Sequence, residues 1–432
     1  MIKFGGTNQI IKYCIFGTVI IVPFVYVPLW SVMDFFYYPK YLALVIVTCS
    51  LLIVCALNVS KLKTLLRFDL INRLLLIYFV LITISLFFSL DPILSIEGNF
   101  LRYDGYVTQI MYMLLFLFAR TIHKINVRFI YFVSISSAIV SIYGIIQYLG
   151  FDPFIRDLTR MYWTSAFSTF GNQNFFGSYL VLQIPFSLYC IVFLHQKWAY
   201  ITYSLSFIAL LMTMTRGAWI GYFVSMLFIV ITLYLQNKHK FFRNKHILVI
   251  MLVSTIIFVG FNLLTKDGLS NRFYTMFFDS KVLFTTSYSK NPDLIDNLGS
   301  VRMFIWIRVI ELIKMRPLFG FGIENLHLAF ARYFNKDIIR IMGQLMLVDK
   351  AHNDYLHIAV SSGIPSLIAY LAFLFTIAYN ALKRLDGTVY ILLFTSILAY
   401  TTCLFFNISV VSVAYIVWIY LGLISSYKID IK

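Results

Sequence analysis

Three observations predict an all-α, polytopic integral membrane protein with about 12 transmembrane helices and one large loop on a single side. The 432 residues are 61% hydrophobic and 12% charged, about half the roughly 25% charge of a water-soluble domain. The mean hydropathy is +0.85, and the apolar residues gather into runs close to the ~20 residues that a helical span requires. Basic residues cluster in alternate connections between those runs, the pattern that orients a membrane protein.

The apolar runs place spans near 11–29, 41–57, 70–88, 106–119, 128–149, 176–193, 198–214, 217–235, 247–264, 364–382, 388–404 and 408–425. Only helices fit, because a span in hydrocarbon must satisfy its backbone polar groups internally. The first run lacks a small-residue cleavage site and is expected to remain as an anchor. One set of connections carries Lys61, Lys63 and Arg67, then Arg120 and Lys124, then Lys197, then Lys238, Lys240, Arg243 and Lys245, and finally Lys383 and Arg384. The only acids among them are Asp69 and Asp386. The other set is mixed, as in Asp91, Glu97, Arg102 and Asp104. The positive-inside rule then puts both termini in the cytoplasm and the long segment 265–351 outside. The expected organisation is a first helical block over 1–264, an extracytoplasmic loop with short amphipathic helices over 265–351, and a second helical block over 352–432.

The net charge of +17 is explained by these orienting residues and argues for a lipid bilayer, not a nucleic acid, as the partner. All five cysteines (Cys14, Cys49, Cys55, Cys190 and Cys403) lie within apolar runs and have no paired metal spacing. The chain has no Gly-rich nucleotide loop. With no close pair of carboxylates at metal-site spacing either, neither a cofactor nor a metal is expected.

Topology restricts the chemistry. Of seven histidines, His123, His195, His239 and His246 fall in the basic connections, leaving His327, His352 and His357 on the outer side. His352 opens Ala351-His352-Asn353-Asp354-Tyr355-Leu356, where the loop returns to the membrane. Its ordinarily near-neutral pKa makes it the best general base available, although a lone histidine is more often structural. Arg216 lies in a turn of about two residues between adjacent spans, where a cation costs about 2.5–3.5 kcal/mol unless paired or snorkelling. The plainer reading is an arginine snorkelling beside an interfacial Trp219. The functional one adds the N-terminus of the next helix, giving a phosphate site at headgroup depth.

Arg302 opens an expected helix with Ser300 as its cap. At about 100° per residue, Arg308, Glu311 and Lys314 form a polar stripe, while Arg302 falls with Trp306, Val309 and Ile313 on the apolar side. An inward arginine needs an anion, either a substrate or an internal carboxylate such as Asp349 or Glu324. Asn172 and Asn174, in Phe170-Gly171-Asn172-Gln173-Asn174-Phe175-Phe176-Gly177, offer amides to sugar hydroxyls or else cap a helix. Arg102, in the first sizeable outer loop, is placed to line the same cavity or to orient its flanking spans.

Taken in order, these landmarks resemble the O-antigen ligase family of bacterial membrane proteins, which includes related polysaccharide polymerases and protein O-oligosaccharyltransferases. The resemblance rests on Gly171-Asn172-Gln173-Asn174, on Thr215-Arg216-Gly217-Ala218-Trp219, and on Arg302 with Trp306. It continues through Arg316-Pro317-Leu318-Phe319-Gly320-Phe321-Gly322-Ile323-Glu324-Asn325, then His352-Asn353-Asp354-Tyr355-Leu356 and Gly363. It implies a C-type glycosyltransferase architecture in the bacterial cytoplasmic membrane, with the active site facing outward. Such an enzyme takes a glycan from undecaprenyl diphosphate and joins it to an acceptor hydroxyl on a glycan, glycolipid or protein, with inversion and usually without metal. At matching positions, Arg216 and Arg302 become diphosphate binders and His352 the base or acceptor-orienting group, with Asn353 and Tyr355 as further substrate contacts. A polymerase of the same superfamily and a non-enzymatic glycolipid flippase are the alternatives. Against the flippase, charge avoids the middle of the spans and collects at the outer surface.

Overall fold

The computed structural model describes residues 4–27, 36–57, 65, 68–100, 102–152, 166–236, 244–426 and 430–431. Lys61, Lys63, Arg67, Lys238, Lys240, Arg243 and His239 lie outside these residues, as does the end of the first expected span. The described structure is helical apart from short turns and a two-residue parallel pairing of Lys124–Ile125 with Asp430–Ile431.

A helix occupies each of the twelve expected positions. Eight are long and apolar enough to cross a membrane, counting a 3-10 turn that extends the first. They are α1 (Phe4–Ile21), α2 (Tyr37–Ala56), α3 (Leu70–Phe87), α6 (Val127–Tyr148), α7 (Gln173–Val192), α9 (Arg216–Gln236), α10 (Lys245–Leu264) and α17 (Ile364–Leu382). Shorter apolar helices occupy the other four positions: α5 (Tyr106–Arg120), α8 (Ala199–Met212), α18 (Thr388–Cys403) and α19 (Ala414–Ile424). The chain is therefore a polytopic, all-α membrane protein.

Helix α7 is enclosed on all sides, packed by α6, α8, α9 and α18. Among apolar helices in lipid, close approach and buried hydroxyls hold partners together. Ser134 on α6 lies 2.7 Å from Ser187 on α7 and 2.8 Å from Thr202 on α8, linking three helices through hydroxyls. Gly221 lets α9 press against α18, since a Cβ there would lie 2.4 Å from the Ala399 carbonyl oxygen.

The ends of the bundle differ. One gathers Arg120, His123, Lys197, Lys245 and Arg384. There Arg120 pairs with Asp69, Gln236 donates to the Leu385 carbonyl, and His195 meets His246. The other carries the segment between α10 and α17, built from α11 (Gly268–Thr285), α12 (Pro292–Asp296), α13 (Arg302–Met315), α14 (Leu326–Tyr333), α15 (Asn335–Met342) and α16 (Asp354–Ser362), with α4 (Pro92–Glu97) beside them. The motif around 316–325 pins this layer down. Phe321 and Gly322 donate backbone N–H groups to the Val360 and Ser361 carbonyls, and the Asn325 amide bonds Ser95 Oγ at 2.6 Å. Gly322, at φ 99°, permits the approach of the 88–97 segment, for a Cβ there would sit 2.3 Å from that of Ser89.

Two features of α13 differ from expectation. Its cap residue is Val301, at φ 68° and without a side-chain hydrogen bond, so Ser300 does not serve as cap. Arg308, assigned to a polar stripe, is buried at 7% exposure between Tyr288, Glu311 and Asp337. Helical periodicity cannot anticipate that α15 covers this face.

Candidate active site

Three helix starts converge at the loop-bearing end. Each begins from strained backbone: Met214 (φ 52°) precedes Arg216, Ser300 and Val301 (φ 60° and 68°) precede Arg302, and His352 itself has φ 50°. Left-handed residues of this kind cost about 1–3 kcal/mol each and persist only where the surroundings enforce them.

Arg216 is the first residue of α9. Its Nη1 lies 2.9 Å from Asp279 Oδ2 on α11, and the same oxygen accepts from the Gly299 N–H at 3.3 Å. Trp219 does not turn outward beside Arg216. It is buried, donates Nε1–H to the Leu210 carbonyl at 3.0 Å, and stacks on Phe273. The snorkelling explanation of Arg216 therefore loses its neighbour.

Arg302 makes no hydrogen bond or ion pair among the described residues. The internal carboxylates considered for it are engaged elsewhere: Asp349 with Arg102 through Nε (3.1 Å) and Nη2 (3.0 Å), and Glu324 with Lys350. Burial and the nearby charge of Arg216 both hold the Arg302 guanidinium below its ordinary value. A third cation, Arg272 on α11, is lowered by the same two causes and also lacks a partner among the described residues. The sequence reading missed it because nothing local distinguishes Arg272; only the return of α11 to the start of α9 brings it in.

One turn beyond Arg302, Trp306 donates Nε1–H to the Ala351 carbonyl at 3.0 Å, tying α13 to the residue before His352. The His352 Nδ1 is buried without a hydrogen-bond partner. Burial first, and then the positive charge of Arg302, push His352 down to about 4, so the near-neutral value expected from sequence is not what the site provides. The ring is neutral, and its conjugate acid is destabilised by the neighbouring arginines.

The other expected residues surround this centre. Arg102 is committed to Asp349, three residues before His352, and lies over the Phe175 ring. Beneath, Lys350 is buried between Glu324 and Asp104, with His357 Nε2 at 3.4 Å. Burial raises Asp104 to about 7, against the opposing pull of Lys350. Asn172 caps α7 by accepting from the Asn174 N–H at 2.8 Å, and Asn174 receives the Asn407 amide on its carbonyl at 2.9 Å. Asn353 caps α16, accepting from the Leu356 N–H, while Tyr355 donates its hydroxyl to the Thr401 carbonyl at 2.8 Å. Each of these four thus has a structural task at the rim.

A cavity of about 660 Å³ opens at the opposite end, lined by Arg120, Arg384, Asp69 and His123 among others. It is large, but its arginines are already bonded to Asp69 and the Ser426 carbonyl. Among the described residues, the under-neutralised arginines lie at the loop-bearing end.

Residues 201–371 match the family described as O-antigen ligase (Wzy_C). The matched stretch contains Arg216, Arg272, Arg302, Lys350 and His352, and leaves Arg102, Asn172 and Asn174 outside. No match is found among curated proteins.

Proposed function

We propose that the chain, whose residues 201–371 match the O-antigen ligase family, transfers a glycan from undecaprenyl diphosphate to an acceptor hydroxyl. The reaction takes place on the extracytoplasmic face of the bacterial cytoplasmic membrane, the side assigned to 265–351. The observation that carries this reading is the meeting of Arg216, Arg272 and Arg302 with only one bonded carboxylate, Asp279, among the described residues. Such an excess of half-buried positive charge is costly unless an anion completes it. A lipid-linked diphosphate has the charge and the oxygen geometry to do so.

The diphosphate seats on Arg216 and Arg302 at the N-termini of α9 and α13, where the helix dipoles add to the attraction. Arg272 supplies further charge, and Asp279 releases Arg216 as the donor enters. The acceptor oxygen attacks the anomeric carbon as the bond to the diphosphate oxygen breaks, inverting the carbon. Negative charge building on the leaving group is stabilised by the guanidinium forks. The acceptor proton passes to His352, whose basicity rises once the bound diphosphate offsets Arg302. Arg102 and Trp306 hold the turn carrying this ring, through Asp349 and Ala351.

A ligase and a repeat-unit polymerase share this chemistry and differ in the acceptor. The arginine assignment is tested by binding. A hydrogen bond to a charged group contributes about 1.5–3 kcal/mol, so Arg302→Ala should bind undecaprenyl diphosphate on the order of 10–100-fold more weakly. Arg302→Lys should restore only part, lacking the planar fork. Unchanged affinity in both folded variants would remove the clamp.

A further inference from the structure

Helix α11 begins four residues after α10 ends and carries apolar side chains on both faces. Its inner side is occupied: Leu269 and Val282 are buried, and Phe273 stacks on Trp219 at 5.3 Å. Its outer side is not, for Tyr274 is 69% exposed, Phe277 75%, Phe278 47% and Phe284 91%. At about 100° per residue these four rings fall within an arc of about 120°, and Arg272 and Asp279 lie on the opposite side. A helix that seats some apolar residues on the protein and presents a further apolar arc outward needs an apolar neighbour on that side too. Four aromatic rings in one arc also exceed the scattered apolar exposure of a solvated surface.

We propose that α11 is a membrane-surface helix whose aromatic face is embedded in the lipid of the leaflet on the loop-bearing side. Continuity identifies lipid as the occupant. Helix α10 is one of the candidate spans, and its last residues, Leu263 and Leu264, are 71% and 82% exposed. The end of α10 therefore fixes the start of α11 at the edge of the hydrocarbon. From there α11 runs about 27 Å along the protein, held by Asp279 against Arg216 and by Val282 packing with Ile295 and Leu298. Aromatic rings suit this depth, and Lys281, which falls within the same arc, can extend its ammonium to the headgroups. A consequence that rests on the proposed function is that Arg272 and Arg216 sit at headgroup depth. A lipid-linked diphosphate then reaches them sideways from the bilayer.

The test places a nitroxide at Phe277→Cys or Phe284→Cys in the full chain with its five native cysteines replaced, reconstituted in bilayer vesicles. Asp293→Cys, whose side chain is 69% exposed, serves as the water-facing reference. At both ring positions, relaxation by membrane-soluble oxygen should exceed relaxation by a water-soluble nickel chelate several-fold, with the reverse at 293. Nickel accessibility equal to the reference would overturn the proposal, since the face would be in water. Shielding from both agents would also overturn it, because a second copy or another protein would then cover the face. Neither outcome involves donor or turnover, so failure here leaves the glycan-transfer reading standing.

Discussion

His352 holds a left-handed backbone that a glycine would adopt without strain. His352→Gly should therefore fold at least as well as the parent while transferring glycan about 10²–10⁴-fold more slowly, the range for losing a positioned base. His123→Ala at the other end of the bundle should leave transfer intact. A purely structural His352 would give the opposite pattern, with unstable protein and little loss per folded molecule. The pH profile adds an independent reading. With His352 at about 4 in the free protein, the neutral ring persists above about pH 5, and kcat/KM should fall only as pH drops through 4. The kcat limb should lie higher, because bound diphosphate offsets the Arg302 charge. A limb between pH 6 and 7 in kcat/KM would contradict this electrostatic account. Arg216, Arg302 and His352 were legible in sequence because each stands at a helix start beside the membrane. Arg272 and Asp279 were not, since their significance depends on where α11 returns. His357, five positions on, is buried against Lys350 and would not be a neutral control, so His123 serves in that role.

At the scale of elements, the buried Lys350 joins α16's approach to two distant segments, through Glu324 after the glycine-rich turn and Asp104 before α5. Removing one partner of a buried ion pair leaves an uncompensated charge and costs about 3–5 kcal/mol, whereas apolar replacement of both is often tolerated. Lys350→Met should thus sharply lower the thermal midpoint in detergent, and Lys350→Met with Glu324→Leu should recover much of it. If the double variant were no better folded than the single, the cost would lie in lost packing, not unpaired charge. The motif 316–325 was visible in sequence, but its mechanical role required the fold, which shows Gly322 against Ser89 and Asn325 bridging to Ser95. Periodicity misplaced Arg308 because its face is covered by α15 and Tyr288, both remote in local pattern. Short amphipathic helices were expected over 265–351, but α11 was not singled out, because its inner apolar residues Leu269, Phe273 and Val282 flank its outer aromatic arc on both sides.

For the whole molecule, apolar run length was a sufficient guide to where helices form, because hydrocarbon leaves the backbone no alternative. It was a poorer guide to their lengths, since four of the twelve apolar helices, α5, α8, α18 and α19, are shorter than a full span. The expected orientation rests on charge alone. A cysteine at position 293 should react with a membrane-impermeant reagent only from the extracytoplasmic side, and labelling solely from the cytoplasm would invert the arrangement. The central claim is chemical, and one measurement reaches it most directly. Purified protein in vesicles is given a defined undecaprenyl-diphosphate glycan and a hydroxyl-bearing acceptor, and both products are quantified. The account predicts one free lipid diphosphate released for each glycosidic bond formed, without added nucleotide, and a matched reduction of both products in Arg216→Lys and Arg302→Lys. Movement of the intact glycolipid across the bilayer, with neither product formed, would contradict it and make the chain a transporter.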